Sequence, residues 1–130
     1  MKGEKIVKRM KIDEIIEQFV VFGKFGERCK TSNDSLFHDT GCLVNYNTII
    51  GLKLGKTVVL NKEKYSVTTS KNQNKVRRLC QKISMPIIEV TEDDINQLAS
   101  AFHDGRDEYE LLENLKNNVE WNKDVESYCI

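Results

Sequence analysis

Apolar residues recur along this chain with helical period in some stretches and strand period in others, and each predicts an element. Ile12, Ile15, Ile16 and Phe19 fall on one side of a short helix, with Asp13 placed to cap it and Glu14 and Glu17 turned outward. From Gly23 to Gly41 the sequence is polar and punctuated by glycine, which predicts a long loop with one short strand at Leu36 to His38. A loop of that length in a compact domain is often a functional element. Four runs rich in β-branched, leucine and tyrosine residues follow: Leu43 to Tyr46, Ile49 to Leu54, Thr57 to Leu60 and Lys64 to Thr68. The breaks between the last three, Gly55-Lys56 and Asn61-Lys62-Glu63, predict an antiparallel meander. Alternation in the fourth run sets Tyr65 and Val67 on one face and Ser66 and Thr68 on the other.

After the meander, Thr69 or Ser70 can cap a helix running to about Ile83, with Val76, Leu79, Cys80 and Ile83 as its apolar stripe. Pro86 ends the segment, and Ile87 to Val90 predicts one more strand. Thr91 with Asp94 resembles a capping box ahead of Ile95, Leu98, Ala99 and Phe102, and Gly105 is placed to end that helix. Asp107 with Glu110 repeats the device ahead of Leu111, Leu112, Leu115 and Val119, and Trp121, Val125 and Tyr128 can dock a last turn. The expected fold is α+β: an antiparallel meander packed against a helix, followed by an acidic helical pair. At 130 residues the chain is expected to be a single domain, 1 to 130, with a core that needs no metal or disulfide.

Charge changes the picture more than composition does. Residues 1 to 86 carry 17 Lys/Arg against 8 Asp/Glu, and residues 87 to 130 carry 3 against 12, so a net charge of zero conceals +9 followed by −9. Such a separation offers one surface to phosphates or acidic partners and another to sites built for nucleic acid. No apolar run approaches the span of a bilayer, and the basic start lacks the apolar core of a signal peptide, so a cytoplasmic protein without membrane association is expected. Four cysteines without CxxC spacing are expected to be free thiols.

Lys71, Lys75, Arg78 and Lys82 recur at intervals of four, three and four, so they form a narrow stripe on the helix. A helix start reading Thr68-Thr69-Ser70-Lys71 joins hydroxyls, an ammonium and unpaired N–H groups, which suits phosphate, and Gln73, Asn74, Arg77 and Arg78 add planar donors. The plain alternative is an exposed helix face, because no phosphate-loop pattern occurs. Among the acids, Glu92, Asp93, Asp94, Asp107, Glu108 and Glu110 lie in first turns, where the helix dipole favours them. Glu113, Glu120, Asp124 and Glu126 belong to the excess and are the candidate acidic binding surface, the plain alternative being a solvated face. Cys29, His38 and Cys42 lack zinc spacing, the His-Asp pairs at 38 and 103 have no nucleophile turn beside them, and no cofactor or catalytic residue is expected.

The segment Tyr46-Asn47-Thr48 through Tyr65-Ser66-Val67-Thr68-Thr69-Ser70-Lys71-Asn72-Gln73-Asn74 to Val76-Arg77-Arg78 resembles a module of small proteins encoded by phages and other mobile elements, with a YNT strand before a YSxTTSxxQN junction. That group brings no established chemistry. In size, Lys and Glu richness and lack of catalytic motifs the chain is also similar to anti-CRISPR and anti-restriction proteins. This similarity implies a non-enzymatic inhibitor whose partner is a host protein, a nucleic-acid-processing enzyme, met by the acidic helices. The alternative is a nucleic-acid-binding module using the basic strand-helix segment, although only Tyr46 and Tyr65 supply aromatics there.

Overall fold

The structure, a computed structural model, describes residues 7 to 117. Its elements are β1 (Lys8–Arg9), α1 (Ile12–Glu17), β2 (Cys29–Lys30), β3 (Leu36–Asp39), β4 (Cys42–Asn45), β5 (Thr48–Leu54), β6 (Thr57–Asn61), α2 (Val67–Lys82), β7 (Ile87–Val90), α3 (Glu92–His103) and α4 (Glu108–Asn117). A seven-stranded sheet runs in chain order from β1 to β7. The pairings from β2 to β6 are antiparallel, whereas β1 joins β2 and β7 joins β6 in parallel. The fold is α+β.

Helices cover both faces of the sheet. On β6, Val58 and Leu60 point into a core shared with α1 and α2, through Ile15, Ile16, Val76 and Cys80. Val59 points the other way, into a core shared with α3 and α4, through Ile95, Leu98, Leu111 and Leu115. That alternation is the period of a strand buried on both sides. On β5 it is interrupted, because Leu43 pairs with Gly51 while Val44 pairs with Ile49, leaving Ile50 as the extra residue of a bulge. Ile50 thereby reaches the α1/α2 core, whereas Leu52 and Leu54 serve the α3/α4 core. Beside it, the ring of Phe19 lies so close to Gly51 that a Cβ there would come within 2.5 Å of Cζ.

Several sequence expectations change in the structure. Lys11, not Asp13, precedes α1, and the Glu14 carboxylate accepts its backbone N–H at 2.9 Å. The helix then widens into a π-helical turn, Gln18–Phe22, and the loop expected from Gly23 instead opens with a 3₁₀ turn, Gly23–Phe25, and contains β2. The run Lys64 to Thr68 is not a strand. Asn61 Oδ1 accepts the Glu63 N–H at 2.9 Å and turns the chain, Ser66 caps α2, and the place beside β6 is filled by β7. Helix α2 thus starts at Val67, earlier than Thr69 or Ser70 predicts, and its Ile83 stripe position is exposed. The acidic helices keep their predicted punctuation. Thr91 Oγ1 accepts the Asp94 N–H, Asp107 accepts that of Glu110, and Gly105 at φ +92 closes α3 with Gly105 N–H to Phe102 and Arg106 N–H to Ala101. Val119, Trp121, Val125 and Tyr128 lie outside the described residues.

Candidate functional site

Three anchors fix the orientation of α2 and therefore decide which of its charges reach solvent. Ser66 Oγ accepts the Thr69 N–H at 3.3 Å, Val76 and Cys80 enter the core, and Asn72 and Gln73 are buried polar clasps. The Asn72 amide donates to Asn45 Oδ1 at 3.1 Å, and Asn45 donates to the Ser35 carbonyl at 2.6 Å. Gln73 donates to the carbonyls of Asn61 and Glu63 at 2.7 and 3.1 Å. Asn61 in turn donates to the Ile49 carbonyl and to Tyr65 Oη, and the Tyr65 hydroxyl reaches Glu92 at 3.0 Å. Asn45 and Asn61 were missed by the sequence reasoning; the only signal was an amide at the end of each of two apolar strands. The polar run around Gln73 is therefore largely internal wiring, since buried amides must find partners.

At the start of α2, where a phosphate site is expected, the Thr69 N–H is already bonded to Ser66 Oγ. Thr69 is buried one turn inside the helix end, and the Ser70 N–H is already bonded to the Ser66 carbonyl. The basic residues divide between two flanks. Arg77 is drawn toward β7, where Nε and Nη2 donate to the two oxygens of Glu89 at 3.0 and 3.1 Å and Nη1 donates to Asn74. A concavity of about 300 Å³ on that flank also holds Ser70, Lys62 and Lys64. On the other flank, Lys75, Arg78 and Lys82 border a groove of about 370 Å³ against Asp13, Ile16, Glu17 and Leu79 of α1 and α2.

Lys75 Nζ meets Asp13 Oδ1 at 2.8 Å in that groove. Lys71, Arg78 and Lys82 are exposed and have no acidic partner among the described residues. The groove therefore sets Arg78 and Lys82 against Glu17 beside one neutralised pair, and keeps one excess positive charge. Helix α2 as a whole carries five basic and no acidic side chains, whereas α3 and α4 on the opposite face of the sheet carry six carboxylates against one lysine. Glu113 is exposed on α4 and accepts from Asn117, while Glu120, Asp124 and Glu126 lie outside the described residues.

The described cysteines and the imidazole of His38 are buried within the fold. The Gly41 N–H donates to His38 Nε2 at 3.1 Å, so the ring proton sits on Nδ1 and donates to the Glu27 carbonyl at 2.8 Å. Burial holds this imidazole below its ordinary value. Burial also pushes the thiols up, Cys29 to about 11 and Cys42 to about 12, which suppresses the reactive thiolate. Among the described residues no cluster of three or more His, Cys, Asp or Glu is placed to hold a metal, and no helix is long and apolar enough to cross a membrane. No family model, curated protein or solved structure matches this chain.

Proposed function

We propose that this protein is a small non-enzymatic inhibitor of the kind carried by phages and mobile elements, binding a host defence nuclease through its charged helical faces. The observation that carries the reading is the opposition of charge across the sheet: basic α2 on one face, acidic α3 and α4 on the other. An acidic helical face competes for the positive channel of a nuclease, where affinity is largely electrostatic. The engagement of His38 and the buried cysteines in packing also favours a binding role over chemistry. A second reading, direct binding of nucleic acid by the α2 groove, draws on Lys71, Arg78 and Lys82, which stand exposed without acidic partners among the described residues.

One experiment separates the two. Inhibition of a panel of defence nucleases is measured across a salt series for the wild type, for a variant with Glu113, Glu120, Asp124 and Glu126 changed to Lys, and for a variant with Lys71, Lys75 and Arg78 changed to Glu. Charge-driven inhibition falls as salt screens it, and the acidic-face variant loses potency mostly through slower association. Equal potency of that variant and wild type removes the mimicry reading. Binding of labelled DNA or RNA by the wild type, lost in the α2 variant, replaces it with the second.

A further inference from the structure

Three exposed aromatic side chains, Phe22 at 47%, Phe25 at 84% and Tyr109 at 60% exposure, gather around one small cavity of about 60 Å³. Its remaining wall is Gly23, Lys24, Lys53, Gly55 and Glu108, and no residue of α2 contributes. The rings stand on a built support. Phe22 closes the π-helical turn, Phe25 closes the 3₁₀ turn, and the Tyr109 ring packs so closely over Gly55 that a Cβ there would lie 2.8 Å from it. Glu108 joins the pieces: one carboxylate oxygen accepts the Gly55 N–H at 3.0 Å and the other meets Lys24 Nζ at 2.8 Å. Exposed aromatic clusters held in place before binding are the usual composition of protein interface hot spots.

Lys53 supplies an independent pointer to the chemistry of the partner. It is only 6% exposed, and its Nζ donates to the Val20 carbonyl at 2.6 Å, its one hydrogen-bond acceptor among the described residues. An ammonium has three N–H donors, so two are without an acceptor among the described residues, in a residue that lines the cavity. Burial pulls the Lys53 pKa down, and Cys80 and then Glu108 oppose that pull. With Lys24 and Lys53 against Glu108, the wall retains one excess positive charge, and Lys56 follows Gly55 in the adjoining turn.

We propose that this cavity is an anchor site for an acidic side chain of a protein partner, its carboxylate bonding Lys53 while its apolar neighbours pack on Phe22, Phe25 and Tyr109. The volume supports the choice. A cavity of about 60 Å³ has room for a small polar group such as a carboxylate. Apart from Glu108 of α4, the site uses none of the residues assigned to the charged helical faces, and the variants of the nuclease experiment leave all of it unchanged, so either reading can fail without the other.

The test is an array of 15-residue peptides carrying Glu, Asp, Gln, Asn or Ala at the centre of otherwise identical apolar flanks, probed with the full chain and followed by titration of the best binders. Glu- or Asp-centred peptides are expected to bind at least tenfold more tightly than their amide counterparts. Phe25→Ala with Tyr109→Ala is expected to lose at least tenfold while keeping its circular dichroism, because both rings are exposed. Lys53→Met is expected to abolish the preference for Glu over Gln. Should Lys53→Met fail to fold, the wild-type Glu/Gln comparison and the surface variant still decide. The proposal is overturned by equal binding of Glu and Gln peptides, or by no peptide exceeding the Ala series. It is also overturned if the aromatic variant instead dissolves a homodimer in sedimentation or abolishes binding of an oligothymidylate.

Discussion

Lys75 Nζ and Asp13 Oδ1 lie 2.8 Å apart and join α2 to α1 across the mouth of a basic groove. Among the described residues Asp13 is the one acid ion-paired with the stripe formed by Lys71, Lys75, Arg78 and Lys82, while Glu17 also lines the groove without pairing to it. Asp13 is largely exposed, so the pair contributes little to stability, about 0 to 1 kcal/mol. Its effect on the groove is larger, because it cancels one of the stripe's charges.

Asp13→Asn is therefore expected to leave the denaturation midpoint nearly unchanged and to strengthen retention on heparin, shifting elution to higher salt. Lys75→Gln is expected to shift it the other way. A midpoint loss equivalent to more than about 1 kcal/mol in Asp13→Asn would show that the pair is structural instead.

The amide clasp predicts the opposite balance. Asn72→Ala leaves the buried Asn45 Oδ1 without its donor, and an unsatisfied buried polar group costs about 1 to 3 kcal/mol. Urea denaturation is expected to show that loss with an unchanged m-value. The double variant Asn45→Ala with Asn72→Ala is expected to cost less than the sum of the singles, because the two partners vanish together. Additive losses would mean that the amides are not coupled.

Gly51 is tied to Phe19 by space. Gly51→Ala forces a methyl group toward the Phe19 ring at a bulged position, and overpacking of this kind costs about 1 to 3 kcal/mol. Phe19→Leu in the same chain is expected to recover part of that loss relative to Phe19→Leu alone. If the alanine is tolerated with no loss in the wild-type background, the close approach of ring and backbone is wrong.

What the sequence made legible was punctuation and period. Thr91, Asp107 and Gly105 mark the acidic helices because capping is local chemistry, and Val58 to Leu60 reads as strand whichever face each residue takes. What it hid was partnership. Tyr65 to Thr68 has strand propensity, yet the edge of β6 goes to β7, a choice made by residues more than twenty positions away. Leu79 sits on the predicted stripe but is only partly buried, because α2 leans on Asn72 and Gln73 as well as on Val76 and Cys80. The basic stripe was visible in spacing alone, whereas the diversion of Arg77 to Glu89 was not. Nor did spacing place Phe22, Phe25 and Tyr109 together, since their meeting depends on Glu108 reaching Gly55 and Lys24.

The buried imidazole makes stability depend on pH near neutrality. Folding holds His38 neutral between the Glu27 carbonyl and the Gly41 N–H, with its pKa below the ordinary value of about 6.5. Between the lowered folded value and 6.5 the unfolded chain binds more protons than the folded one, so stability rises with pH across that window. The contribution is fully present above about 6.5 and is lost as the pH falls through the window, because protonation would set an Nε2–H against the Gly41 N–H. Urea denaturation of the wild type at pH 7.5 and 5.5 is expected to show lower stability at the acid end, and His38→Gln, which cannot titrate, is expected to flatten that difference while lowering stability at both. Phe19 packs edge-on against the His38 ring, with centroids 6.1 Å apart, so near-ultraviolet circular dichroism provides a second reading of the same transition. An unaltered pH slope in a folded His38→Gln protein would assign the dependence to carboxylates and leave His38 a packing residue alone.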